Sequence, residues 1–113
     1  LNNFMSPILV ITNLPDKETA LKLANKLISK KLAACINIQS ECTSCYRWKD
    51  KIETTTELPI FIKTISPHYV EVENTIIAIH PDELPEIVTV PINGGLPKYL
   101  QWISNETTPS NRN

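Results

Sequence analysis

Two short stretches hold residue types and spacings that could do chemistry: Cys42-x-x-Cys45 and His80-Pro81-Asp82-Glu83. Thiolate and imidazole are ligands that copper and zinc favour. A pair of thiols at this spacing serves redox exchange when it opens a helix, and structural zinc when a second ligand pair exists. Neither condition is met here. Cys42-Thr-Ser-Cys45 runs into Tyr46-Arg47-Trp48, which reads as a β-strand, and strand alternation sends the two thiols to opposite faces. Cys35 makes the set odd, which argues against a disulfide framework and suits a reducing compartment. All three are expected as structural thiols.

His80 ends a helical pattern and precedes a proline. One imidazole per chain makes a thin metal site unless Asp82 and Glu83 assist or copies of the chain bring several together. The competing expectation, which we favour, is that the ring caps the last carbonyls of the helix. His68, beside Ser66-Pro67, is expected to face solvent. No histidine lies near a cysteine, no Gly-x-Ser-x-Gly elbow exists, and the only glycines are Gly94 and Gly95. Nucleophilic hydrolysis and a phosphate-cradling loop are therefore unsupported, and no enzymatic activity is expected.

The elements that must position these residues belong to one domain: 113 residues, 42% hydrophobic, bury a core without staples. Eleven basic against twelve acidic residues leave a net charge of -1. Neither nucleic acid nor an anionic membrane surface is indicated as partner. No apolar run nears the roughly 18 residues of a membrane span. Leu1 to Met5 is uncharged and the run Ile8–Ile11 is too short for a signal-peptide core, so a cytoplasmic location is expected.

Ile8 to Thr12 reads as a first strand, and Asp16 as the N-cap of a helix over Lys17–Lys31 carrying Ala20, Leu23, Ala24, Leu27 and Ile28 inward. Strands follow at about Ala33–Gln39 and Thr43–Lys49, the second continuing the first after a bend. A turn at Lys49-Asp50-Lys51 leads to a strand strongest over Glu57–Thr64, and Pro59 argues for an edge or a bulge there. Ser66-Pro67 reads as N-cap and first helical residue. Tyr69, Val72, Ile76 and Ile79 form the inner face of that second helix, which Pro81 stops. A last strand, Ile87–Ile92, a turn at Asn93-Gly94-Gly95 and a short helix Pro97–Ser104 complete the order. The domain is expected over residues 6–104, with a disordered polar tail over 105–113.

This order, β-α-β-β-α-β plus a terminal helix, is the ferredoxin-like α+β pattern. Both helices of that pattern cover one sheet face, yet the strands are apolar on both parities. Leu9 and Ile11 alternate with Ile8 and Val10, and Phe61 alternates with Ile60 and Ile62. A second apolar face needs a cover, so a homo-oligomer is expected.

Several segments together resemble the CutA family, named for tolerance to divalent cations. They are Lys31-Leu-Ala-Ala-Cys-Ile-Asn37, Ser44-Cys-Tyr-Arg-Trp48, Ile52-Glu53, Glu57 and Lys63-Thr64. Further along come His80-Pro81, Pro85-Glu86-Ile87, Pro91 and Tyr99-Leu-x-Trp102. The resemblance extends from about Ile8 to Ser104. It implies a homotrimer of the kind seen in PII signalling proteins, and a divalent metal, copper foremost, as ligand. Two positions depart from the family pattern. Asp50 replaces a turn glycine, and Asp82 replaces an aromatic residue after His80-Pro81. A strand-end cysteine associated with metal in some members is also absent, since that region reads Ile11-Thr12-Asn13.

On this resemblance the metal ligand is His80. Glu53, Glu57, Lys63 and Glu86 are expected in an inter-subunit cleft, as an ion-pair network fixing register or as a binding site. Tyr46, Trp48, Tyr99 and Trp102 are expected as interface anchors. The implied function is a cytoplasmic, trimeric, non-catalytic copper-binding or metal-tolerance protein. The alternative is a PII-like sensor that binds a small molecule in the inter-subunit clefts.

Overall fold

The computed structural model describes residues 6–109. Strand β1 (Pro7–Leu14) leads to α1 (Lys17–Ser29), followed by β2 (Cys35–Ile38), β3 (Cys42–Trp48) and β4 (Lys51–Ile65). Helix α2 (Tyr69–Ile79), strand β5 (Ile87–Pro91) and helix α3 (Pro97–Glu106) complete the chain. The sheet is antiparallel, in the order β2-β4-β1-β5, with β3 paired to the free half of β4. This is the ferredoxin-like α+β fold with an added helix.

Local chemistry sets the helix ends. Asp16 Oδ1 accepts the Thr19 amide at 2.7 Å, and that bond holds the Asp16 carboxyl below its usual range. At the other end of α1, the Lys31 and Leu32 amides close on the Ile28 and Leu27 carbonyls at 3.0 and 2.9 Å. This Schellman closure requires a left-handed residue, and Lys31 supplies it with φ 58° where glycine is usual. Helix α2 opens through a 3-10 turn, Ser66–His68, in which Ser66 is the first residue rather than a preceding cap. It stops before His80-Pro81, as the sequence predicts.

The main core lies between the two helices and the sheet. Ile8, Val10, Ile60 and Ile62 meet Leu23 and Leu27 of α1 and Val72 and Ile76 of α2. The opposite face carries Leu9, Ile11, Phe61 and Lys63. Helix α3 contacts β4 and β1 and fully buries Ile103. Lys63 Nζ meets the Tyr99 hydroxyl at 3.4 Å, which places α3 on that face. Val88 and Val90 of the edge strand β5 remain 47% and 43% exposed, so α3 covers only part of the second apolar surface.

Three expectations are corrected. Strand β4 is central and runs fifteen residues, well beyond the expected Glu57–Thr64, and Pro59 marks neither an edge nor a bulge. Pro59 nonetheless leaves the pairing intact because its carbonyl points toward β2, accepting the Gln39 amide at 2.9 Å. Its missing N–H would point the same way, opposite the bend where β2 gives over to β3. The polar tail also begins later than Asn105. Helix α3 runs through Glu106, and Thr107 is buried because its hydroxyl folds back on the Ile103 carbonyl at 2.8 Å. His68, finally, is half-buried rather than solvent-facing, its Nε2 donating to the Thr107 carbonyl at 2.5 Å. Residues 110–113 of the expected tail lie outside the described residues.

At about 3.3 Å per residue β4 spans roughly 50 Å, matching the longest dimension of the molecule, 51 Å. Its second half pairs with β1 and β2, while its first half and β3 form a two-stranded arm. The arm turns through Lys49 and Asp50, both left-handed at φ 51° and 68°. Aspartate thus tolerates the turn in the absence of glycine.

Candidate functional site

The base of the arm and the loop after α2 enclose a cavity of about 630 Å³. Cys45, Tyr46 and Trp48 of β3 line one side, Glu57 of β4 the base, and Asn13, His80, Asp82 and Glu86 the other side. The end of β1, the middle of β4, strand β3, the end of α2 and the start of β5 converge here, where Leu14 at the end of β1 pairs with Leu58 at the root of the arm.

Asn13 holds this corner together. Its side-chain amide donates to Glu86 Oε1 at 2.7 Å, and its main-chain carbonyl accepts from His80 Nε2 at 2.6 Å. The Asp82 amide donates to His80 Nδ1 at 3.1 Å. A carbonyl can only accept and an amide only donate, so in these two bonds Nε2 is the donor and Nδ1 the acceptor. The expected side-chain cap is therefore not formed. The His80 main-chain amide closes the helix on Ile76 at 2.8 Å, and the ring turns away to β1.

Of the residues expected in an inter-subunit cleft, the single chain brings Glu57 and Glu86 to this cavity, which the expected metal ligand His80 also lines. Lys63 stands elsewhere, under α3, with its ammonium 5.5 Å from the Tyr99 ring centroid. Glu53 lies on the arm opposite Tyr46. The four aromatic residues divide the same way. Tyr46 and Trp48 border the cavity, whereas Tyr99 and Trp102 pack on each other with centroids 5.4 Å apart. Cys35, Cys42 and Cys45 are all free thiols. Among the described residues no three His, Cys, Asp or Glu side chains converge closely enough to hold a metal ion.

Asn13 escaped the sequence reading. The only available signal was a polar residue at the end of an apolar strand, just before Leu14-Pro15, and such residues usually mark a turn. Its partners sit 67 and 73 residues away, beyond the reach of any local pattern.

The fold and this corner define a class: ferredoxin-like α+β proteins with a long hairpin arm beside an acidic, histidine-containing cleft. The family model for "CutA1 divalent ion tolerance protein" matches residues 8–106. The chain belongs to that family. It is 36% identical over 103 residues to the divalent-cation tolerance protein CutA of Thermus thermophilus, covering 91% of this chain and 99% of that one. It is 37% identical over 100 residues to the chloroplastic protein CutA of Arabidopsis thaliana, covering 88% of this chain. There it spans only 55% of the relative's length. Among solved structures, CutA1 of Oryza sativa superimposes with a TM-score of 0.88 at 37% identity, covering 96% of this chain and all of that one.

Proposed function

We propose that the chain forms a homotrimer and acts, without catalysis, in tolerance to divalent cations. The proposed ligand is copper, bound at the cleft beside the arm. The observation that carries this reading is the cleft itself: Cys45, Glu57, His80, Asp82 and Glu86 line one cavity. Thiolate, imidazole and carboxylate together suit a borderline-soft divalent ion. Since one chain does not bring three of them together, the remaining ligands come from a neighbouring copy. His80 joins the metal through Nδ1 by giving up the Asp82 amide, its Nε2 staying on the Asn13 carbonyl.

Trimer formation is supported by the arm. A two-stranded ribbon is marginal in water, and this one presents Tyr46 at 42% and Ile52 at 72% exposure. A neighbouring copy would cover these side chains and the half-open sheet face carrying Val88 and Val90. Glu53 and Lys63, separate within the chain, then serve as seam charges, and Tyr46, Trp48, Tyr99 and Trp102 as anchors. A cytoplasmic location fits three free thiols. Relatives carry other addresses in their names, chloroplastic in Arabidopsis thaliana and periplasmic in Archaeoglobus fulgidus.

Calorimetric titration with Cu(II), wild type against His80→Ala and Glu86→Gln, tests the site. Saturable binding weakened at least tenfold in either variant supports it, and unchanged affinity in both rejects it. Sedimentation tests the trimer, and a stable monomer at micromolar concentration would sink it.

One observation favours a second reading, a sensor binding a small molecule in the same cleft. Both ring nitrogens of His80 are already engaged, and the cavity has the size of a small-ligand pocket. A metabolite screen by melting temperature would separate the two readings, because a ligand raises the transition without any metal present.

A further inference from the structure

Asn93 differs from every other asparagine among the described residues. Asn13 and Asn37 stand in strands, and Asn25, Asn74 and Asn105 in helices. Asn93 lies in the segment 92–96 between β5 and α3, which is neither helix nor strand. It is also the one asparagine of the chain that a glycine follows.

The segment is tied at both ends and free in the middle. The Ile92 amide donates to the Pro7 carbonyl at 3.1 Å, and the Leu96 carbonyl accepts the Tyr99 and Leu100 amides at 2.9 and 3.0 Å. Between these ties Asn93, Gly94 and Gly95 are exposed and make no hydrogen bond among the described residues. Asn-Gly often marks a hairpin turn with both residues left-handed, but neither has a positive φ here. A Cβ on Gly94 would meet nothing within 4 Å, whereas one on Gly95 would stand 3.3 Å from Leu100 Cδ2. The fold therefore asks nothing of Gly94, and its amide nitrogen is neither bonded nor hindered.

We propose that Asn93 is a site of covalent self-modification, deamidation through the Gly94 amide. The Gly94 nitrogen, giving its proton to solvent base, attacks Cγ of Asn93. The new N–Cγ bond closes a succinimide ring, the Cγ–Nδ2 bond breaks, and ammonia leaves with a proton returned from solvent. Water then opens the ring. Cleavage of the N–Cγ bond gives aspartate. Cleavage of the bond to the main-chain carbonyl gives isoaspartate, whose main chain runs through the former side chain and is one methylene longer. Either product adds one negative charge and takes the formal net charge from -1 to -2. In a helix or strand the corresponding amide is committed to the backbone ladder, which protects the other asparagines. The change falls in the connection to α3, the helix that sets Tyr99 against Lys63. It depends neither on the cleft nor on the proposed trimer.

Peptide mapping of the full chain, incubated at neutral and at mildly alkaline pH, tests the site. An isoaspartyl carboxyl methyltransferase with labelled S-adenosylmethionine identifies the isoaspartate. Asn93 should convert at least tenfold faster than Asn25 or Asn74, and faster at the higher pH, with isoaspartate exceeding aspartate. Gly94→Ala, for which the fold has room, should slow the conversion at least tenfold at a melting temperature no lower than that of the wild type. Conversion of Gly94→Ala at the wild-type rate would overturn the role of the Gly94 amide. Conversion of Asn93 no faster than that of Asn25 would overturn the assignment. Rapid conversion only after unfolding in urea would overturn it too, by showing that a neighbouring copy covers the segment.

Discussion

His80 Nε2 donates to the main-chain carbonyl of Asn13 at 2.6 Å, joining the end of α2 to the end of β1 across 67 residues of sequence. This bond and the Asp82 amide on Nδ1 make the imidazole a structural tie as the chain stands. His80→Ala leaves the part-buried Asn13 carbonyl and the exposed Asp82 amide without these partners. It should cost about 1 kcal/mol of stability, measured as a lower urea midpoint at unchanged slope. His80→Ala with undiminished stability would show that the tie is energetically idle.

Thr12 is fully buried among Val10, Ile60 and Ile87, and its hydroxyl has no partner among the described residues. A valine of the same shape removes the unpaired polar atom. Thr12→Val should therefore stabilise the fold by about 1 kcal/mol, seen as a raised melting temperature. A drop instead would mean that a bound water satisfies the hydroxyl.

The arm turn forces two ordinary residues into the left-handed region, Lys49 at φ 51° and Asp50 at φ 68°. Glycine adopts that conformation without steric penalty. Asp50→Gly should raise stability by about 1 kcal/mol, with no change in assembly mass, in chemical denaturation of the purified protein.

Tyr69 donates to Glu73 at 2.6 Å, and that bond, with burial and the nearby carboxylate, pushes the phenol up from 10.0 to about 12. The folded state then holds the proton longer than the unfolded chain. The contribution is complete below pH 10 and is lost as pH rises from 10 to about 12. Tyrosinate absorbance should show one of the three tyrosines titrating late. Tyr69→Phe should remove that late phase and flatten the alkaline loss of stability.

The element order was legible because its signals are local: β-branched runs, Asp16 before a helical period, and Pro81 after one. What escaped depends on partners distant in sequence. Pro59 looked like an edge marker, but a missing donor is harmless in a central strand when the neighbour bends away at that point. Asn105 and Thr107 looked like the start of a polar tail, but a threonine hydroxyl that bonds its own helix can be buried. The cleft was half legible. Glu57 and Glu86 come to one cavity beside His80, while Glu53 and Lys63, on the same face of β4, stand four residues toward the tip and six toward the other end because that strand is fifteen residues long. No composition or motif announces that Asn13 binds the corner together.

Strand β4 serves the arm with one half and the sheet with the other, so one unbroken strand joins the sheet to the arm tip. Seven residues of arm place the Lys49-Asp50 tip about 24 Å beyond the root. The cleft lies at the root, against Glu57. Anything bound there, ion or small molecule, touches the root of the same strand whose far end carries the Lys49-Asp50 tip.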